Sequence, residues 1–215
     1  MNVFRPALAA LTLTLSLALL PLASHAEGGR PADTTPKLAF GQMVKYGDKL
    51  VFSPCRDQSY TQLEDVSGDG RVLKALDLVG LAAGQKVYAE VLGVNEGGFL
   101  QASQINLART DGRCQLPGGR EEHWRAAGAQ AAWILAFGAE VVQFKAAGQP
   151  EVDLPAGKVA IDKGVATYAV ANDKHQLALR FEQALCRDPA GKAVYGWTAT
   201  VHLDGKTFTG CAWQR

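Results

Sequence analysis

Four cysteines, Cys55, Cys114, Cys186 and Cys211, offer the most chemistry in this 215-residue chain. A thiol can serve as nucleophile, metal ligand or half of a disulfide, and compartment and neighbours decide which. Beyond His25, the histidines His123, His175 and His202 include no two at the i, i+2 or i, i+4 spacing that puts both imidazoles on one metal. Asp65-Val66-Ser67-Gly68-Asp69-Gly70 follows the first half of a calcium loop, but Leu76 stands where the bidentate glutamate belongs. These residues are therefore read as a turn, which Ser, Gly and Asp favour for backbone reasons. Ser67 lacks the flanking glycines of a nucleophile elbow. Glu121 and Glu122 are adjacent, so their carboxylates point apart and do not form a catalytic pair. The sequence accordingly assigns no catalytic residue, no cofactor and no metal site.

The amino terminus explains why the cysteines are read as disulfides. Arg5, an apolar run from Ala7 to Leu20, the helix breaker Pro21 and Ser24-His25-Ala26 form the n-region, h-region and small-x-small site of a signal peptide, with cleavage expected after Ala26. The run is short for a membrane span, which needs about 20 apolar residues, so no span is expected to remain after cleavage. No cysteine lies near that site to carry a lipid anchor. An even number of thiols in an exported chain points to two disulfides. Losing Arg5 balances the remaining bases and acids at 21 each, and this neutrality argues against a nucleic acid partner.

Residues 27–37 read as a flexible leader, 38–114 as a first β domain, 115–123 as a polar linker and 124–215 as a second β domain. In the first, Met43 to Tyr46 and Lys49 to Phe52 flank a Gly47-Asp48 turn, Tyr60 to Asp65 is a strand, and Leu73 to Val79 is a short helical segment. Lys86 to Val94 and Phe99 to Ala108 complete five strands with one inserted helix, which suits a small OB-like barrel. In the second, a hairpin turns at Gly138-Ala139 between Trp133-Phe137 and Val141-Phe144. Strands follow over Lys158 to Ile161, Val165 to Val170 and Gln176 to Leu185. The clearest hairpin turns at Asp204-Gly205 and pairs Val201 with Phe208; a bulge at Gly210 would bring Cys211 inward, a regular register would leave it on the threonine face. Of three possible connectivities, Cys55 with Cys114 and Cys186 with Cys211 is the one that does not cross the linker.

Cys186-Arg187-Asp188, Tyr195-Gly196-Trp197-Thr198-Ala199, Asp204-Gly205 and Gly210-Cys211-Ala212 together resemble the carboxyl-terminal module of an uncharacterised family of Gram-negative envelope proteins and lipoproteins. An aromatic strand announced by Gly-x-x-x-Trp is frequent in the same family, and Gly128 to Trp133 resembles it with one residue more. Phe52-Ser53-Pro54-Cys55 and the Val-Tyr-x-Glu-x-x-Gly strand at Val87 to Gly93 are similar to the OB-like domain of that family and of the NlpE class of outer-membrane lipoproteins. The resemblance implies a periplasmic protein, mainly β, that works as a non-enzymatic envelope module binding an envelope protein, peptidoglycan or a glycolipid. Inhibition of a cell-wall hydrolase is the alternative within that class, and a hydrolytic enzyme with an unrecognised site is the opposed one. Trp133, Tyr195 and His202 are the candidate binding-surface residues, because an exposed aromatic can stack on a sugar or anchor a partner.

Overall fold

The computed structural model describes Met1 and residues 34–57, 59–114, 122–129 and 132–215. The expected signal peptide and nearly all of the leader therefore lie outside the described residues, as does 115–121 of the expected linker. Among the described residues the chain is mainly β, with a closed five-stranded barrel, a curled antiparallel sheet and one helix. No helix among them is long and apolar enough to cross a membrane. Residues Ala32–Arg215 form one compact unit.

The barrel consists of β1 (Lys37–Tyr46), β2 (Lys49–Pro54), β3 (Thr61–Asp65), β4 (Lys86–Glu96) and β5 (Phe99–Arg109). Antiparallel β1–β2, β2–β3, β1–β4 and β4–β5 pairs and one parallel β3–β5 pair close the ring, the OB arrangement expected from the five strands. Met43, Phe52, Leu63, Val87, Ala89 and Val91 fill it from alternate strand positions. Between β3 and β4, α1 (Arg71–Leu78) buries Val72, Ala75 and Leu76, the i, i+3, i+4 face that joins the barrel core. Its free amides are met from the preceding turn: Arg71 N donates to Ser67 Oγ at 2.8 Å and Leu73 N to Asp65 Oδ2 at 2.9 Å. The acidic stretch that imitates a calcium loop thus caps a helix.

The curled sheet contains β6 (Glu122–Ala127), β7 (Trp133–Gly138), β8 (Val141–Ala146), β9 (Val152–Pro155), β10 (Ala160–Asp162), β11 (Val165–Ala171), β12 (Gln176–Glu182), β15 (Trp197–Leu203) and β16 (Lys206–Gln214). Its two lateral ends, β9 and β10, are consecutive in the chain. Every pairing is antiparallel, and stepping strand by strand from either side gives β9 and β10 the same direction. They are the two ends of one run, 152–162, that pairs with β8 at its start and with β11 at its finish. Tyr168 Oη donates to the Pro155 carbonyl at 2.6 Å where the run changes partner. The interior holds Trp124, Trp133, Phe137, Phe144, Phe181 and Trp197, all buried. It is a packed core.

Two short strands, β13 (Cys186–Arg187) and β14 (Ala193–Tyr195), come from the second half of the chain and extend the first sheet, β14 pairing with β5. At Gly196 the chain passes from β14 to β15, from one sheet to the other. A Cβ there would lie well inside contact distance of the Ile105 carbonyl oxygen, so glycine is required for close approach. The disulfides are Cys55–Cys114 and Cys186–Cys211, the connectivity expected. The second joins β13 to β16 and so spans the two sheets.

Several sequence expectations need correction. Glu122 and His123, expected in the linker, already belong to β6, whose alanines sit in a strand because the core side is fixed by Trp124 and Ala126. Lys37, expected to end the leader, opens β1. β6, β9, β13 and β14 were not anticipated. The final hairpin has a regular register with Thr198 opposite Cys211 and no bulge at Gly210; Cys211 is buried on that threonine face by its bond to Cys186.

Gly196→Ala is expected to cost about 3 kcal/mol by overpacking, whereas Gly68→Ala, with nothing within 4 Å of its added carbon, should stay within about 0.5 kcal/mol. Urea unfolding of both variants measures this, and equal effects would show that the sheet crossing tolerates a side chain. Cys186→Ala and Cys211→Ala should each cost about 2–5 kcal/mol and the double variant little more, because both remove one crosslink.

Candidate functional site

Closing one end of the barrel with α1 leaves the other end open. This mouth is a cavity of about 480 Å³, lined by the start of β1 (Leu38, Ala39, Phe40), Phe52, Pro54 and Leu100, with Arg56, Asp57, Thr61 and Asn95 among its polar residues. Phe52 and Leu100 are buried and join the cavity to the barrel core. A Cβ at Gly41 would collide with the Phe52 ring and the Ser53 carbonyl, so glycine lets that ring lie close against β1. Asp57 is engaged locally: Ser59 N donates to its Oδ1 at 2.7 Å, and hydrogen bonds from Ser59 hold its carboxyl below the usual range. Thr61 Oγ1 donates to the Gly98 carbonyl at 2.9 Å. Arg56 takes part in no ion pair among the described residues.

A second, smaller cavity of about 170 Å³ lies beside the Cys186–Cys211 bond, between Gly128-Ala129 and Arg187-Asp188, with Tyr195 and Thr209 also lining it. Tyr195 packs against Trp213 with ring centroids 5.0 Å apart and the planes tilted by 37°, and burial pushes its hydroxyl pKa up. Gly210 is again a close-approach position, pressed against the Ala127 carbonyl.

The polar cluster with the deepest burial lies between barrel and curled sheet. Between Glu90 and Val91 the β4–β5 register shifts, leaving Asn106 as the extra residue of a bulge. Ile105 and Ala108 can then both face the barrel core while Asn106 reaches outward. Its Nδ2 donates to Glu90 Oε2 at 2.7 Å and to the Gln214 carbonyl at 2.9 Å, and its Oδ1 accepts from Gln214 N at 2.7 Å. Tyr88 Oη donates to Glu90 Oε1 at 2.8 Å. Burial pushes the Glu90 carboxyl above its usual range, against the hydrogen bonds from Tyr88 and Asn106 and the attraction of Arg215 and Arg109. Burial likewise raises Tyr88, with the Glu90 charge adding to it. Nearby, Arg125 Nη2 donates to Glu122 Oε1 at 2.8 Å, which lowers Glu122 and raises Arg125.

The candidate surface residues from the sequence do not converge. Trp133 is 5 % exposed, stacks on Phe144 and donates its indole N–H to the Thr209 carbonyl at 3.1 Å, so it is a core residue rather than a surface platform. Tyr195 lines the smaller cavity. His202 is exposed on β15, with Nδ1 2.9 Å from Thr207 Oγ1. Cys186 and Cys211 meet beside Tyr195, and Cys55 lines the barrel mouth.

Sequence reading missed the Glu90–Asn106 pair, whose strand positions look ordinary without the bulge. It also missed His175 Nδ1, which lies 2.7 Å from Asp204 Oδ2; that bond and one from Gln176 N hold Asp204 below its usual range. The signal available was Asp204-Gly205, with φ of 50° and 78°, the turn that brings β16 back beside the 172–175 loop.

Comparison with protein-family models, with curated proteins and with solved structures finds no match to this chain.

A buried carboxyl with a raised folded-state pKa stabilises most below its unfolded pKa and loses that contribution as pH rises through the folded value. Glu90→Gln keeps two polar partners without a charge, because the Tyr88 hydroxyl can turn to accept. The unfolding free energy of the native chain minus that of Glu90→Gln is therefore expected to fall as pH climbs from about 4 toward neutrality. Denaturant titrations at a series of pH values measure it; a flat difference would show that Glu90 pays no burial penalty.

Proposed function

We propose that this chain is an exported, periplasmic, non-enzymatic binding or interaction module of the cell envelope. The observation that carries the reading is the barrel mouth. It offers an apolar cavity of about 480 Å³, within the size range of small-ligand sites, on a rigid ring of five strands whose other end is plugged by α1. Polar residues at such a cavity fix orientation while the apolar walls supply affinity. Two disulfides and an otherwise packed core are compatible with a protein that persists outside the cytoplasm. Three polar groups with shifted pKa values serve the fold: Glu90 holds Asn106 at the joint between the sheets, Glu122 holds Arg125, and Asp204 orders a turn. The resemblance of the carboxyl-terminal segment to Gram-negative envelope proteins supports the compartment and the class of partner.

Mature chain incubated with purified peptidoglycan, with outer-membrane lipid extract and with envelope proteins is expected to bind one of the three saturably and to leave it chemically unchanged by mass spectrometry. Slowed peptidoglycan digestion by a cell-wall hydrolase would assign the partner to that enzyme. Turnover of any of the three materials would overturn the non-enzymatic reading.

A further inference from the structure

We propose that the barrel mouth binds a free, single-chain amphiphile with an anionic head, its chain against Phe52 and Leu100 and its head at Arg56. The inference rests on the mouth being the binding site proposed above and adds the ligand class. Two observations carry it. The cavity runs from solvent to the buried Phe52 and Leu100, past Ala39 and Pro54, so its interior favours an apolar body. Of the two charged residues lining it, Asp57 is already bonded to Ser59, whereas Arg56 has no ion-pair partner among the described residues. A guanidinium beside an apolar cavity complements a carboxylate or phosphate at the end of a chain, and its planar fork binds either in two-point fashion. Thr61 and Asn95 add polar groups at the same cavity, although the Thr61 hydroxyl already donates to Gly98. A concavity with one cation takes up a single molecule; holding the surface of a bilayer requires a polybasic patch or a broad apolar face.

The test uses the whole mature chain, nitrogen-15 labelled, titrated below micelle-forming concentrations with dodecanoate, with dodecyltrimethylammonium and, separately, with anionic phospholipid vesicles. Expected are saturable amide shifts from dodecanoate at Leu38–Phe40, at Cys55–Asp57 and around Leu100, weaker binding of the cationic probe, and no binding to vesicles. Arg56→Glu should weaken dodecanoate binding about tenfold, as loss and reversal of one nearby charge implies, while Arg56→Lys keeps most of it. Both variants are exposed-site changes, and an unaltered amide spectrum elsewhere verifies the fold. Equal binding of both dodecyl probes, indifferent to Arg56→Glu, would overturn the anionic head and leave an apolar site. Vesicle binding without dodecanoate binding would overturn the free-ligand assignment. No probe binding, alongside saturable binding to an envelope component, would overturn the ligand class and leave the binding-module reading standing; loss of both would end that reading as well.

Discussion

One carboxamide joins the two halves of this molecule. Asn106 uses both amide hydrogens and its oxygen, on Glu90 in the barrel and on the backbone of Gln214 in the last strand of the curled sheet. Glu90 and Asn106 are buried and Gln214 is half-buried, so breaking the bond between Asn106 and Glu90 leaves a buried donor or acceptor unmet, at about 1–3 kcal/mol. The bulge in β5 makes the arrangement possible by adding one residue between two core positions. Around it, Tyr195 packs with Tyr88, Leu107 and Ala193 on the outer side of the barrel, Arg71 Nη1 reaches the Gln183 carbonyl at 2.9 Å, and Cys186–Cys211 adds a covalent link. The sheets are thus held at several points by contacts of different kinds.

That attachment bears on the mouth. β5 contributes Leu100 to the cavity at its start and Asn106 to the junction further along, so one strand is shared by the proposed site and the joint between sheets. β1 and β2, which supply Leu38, Ala39, Phe40, Phe52 and Pro54 to the cavity wall, are paired through Gly41–Pro54 to Tyr46–Lys49. A ring with its strands paired on both sides and one end filled by a helix keeps the open end in shape without ligand, and a preformed cavity loses little conformational entropy on binding.

Legibility in the sequence followed the range of the determining contacts. The Gly47-Asp48 and Asp204-Gly205 hairpins were readable because a two-residue turn with the right backbone preference sits between alternating strands, with positive φ at Gly47 in the first and at both Asp204 and Gly205 in the second. The α1 segment was read only as a short helical stretch over Leu73 to Val79, and the helix begins two residues earlier, at Arg71. β14 was not, because three residues make no pattern and their partner on β5 lies some 85 positions earlier. β6 was masked by alanines whose helical preference is overridden by pairing on both sides with β7 and β16. At the candidate site, the cysteine pairing was legible from number and placement. The mouth was not, since it is formed by ends of five strands that only closure brings together. Trp133 shows the opposite error: an aromatic that composition alone allows as a surface platform is needed to fill the second core.

The run 152–162 carries a further consequence. Strand order written along the curled sheet has a first and a last member, yet both are the same piece of chain. Counted as one, the strands number eight, and an even number is what a ring of alternating directions must have in order to meet itself without a parallel seam. The sheet's two lateral ends are thus one ribbon, bonded to β8 through β9 and to β11 through β10, with the Tyr168 hydroxyl of β11 on the Pro155 carbonyl where the partner changes. A sheet so curled turns both margins toward its own chain, and a second copy meets there a run already bonded to β8 and to β11 rather than an unpaired strand.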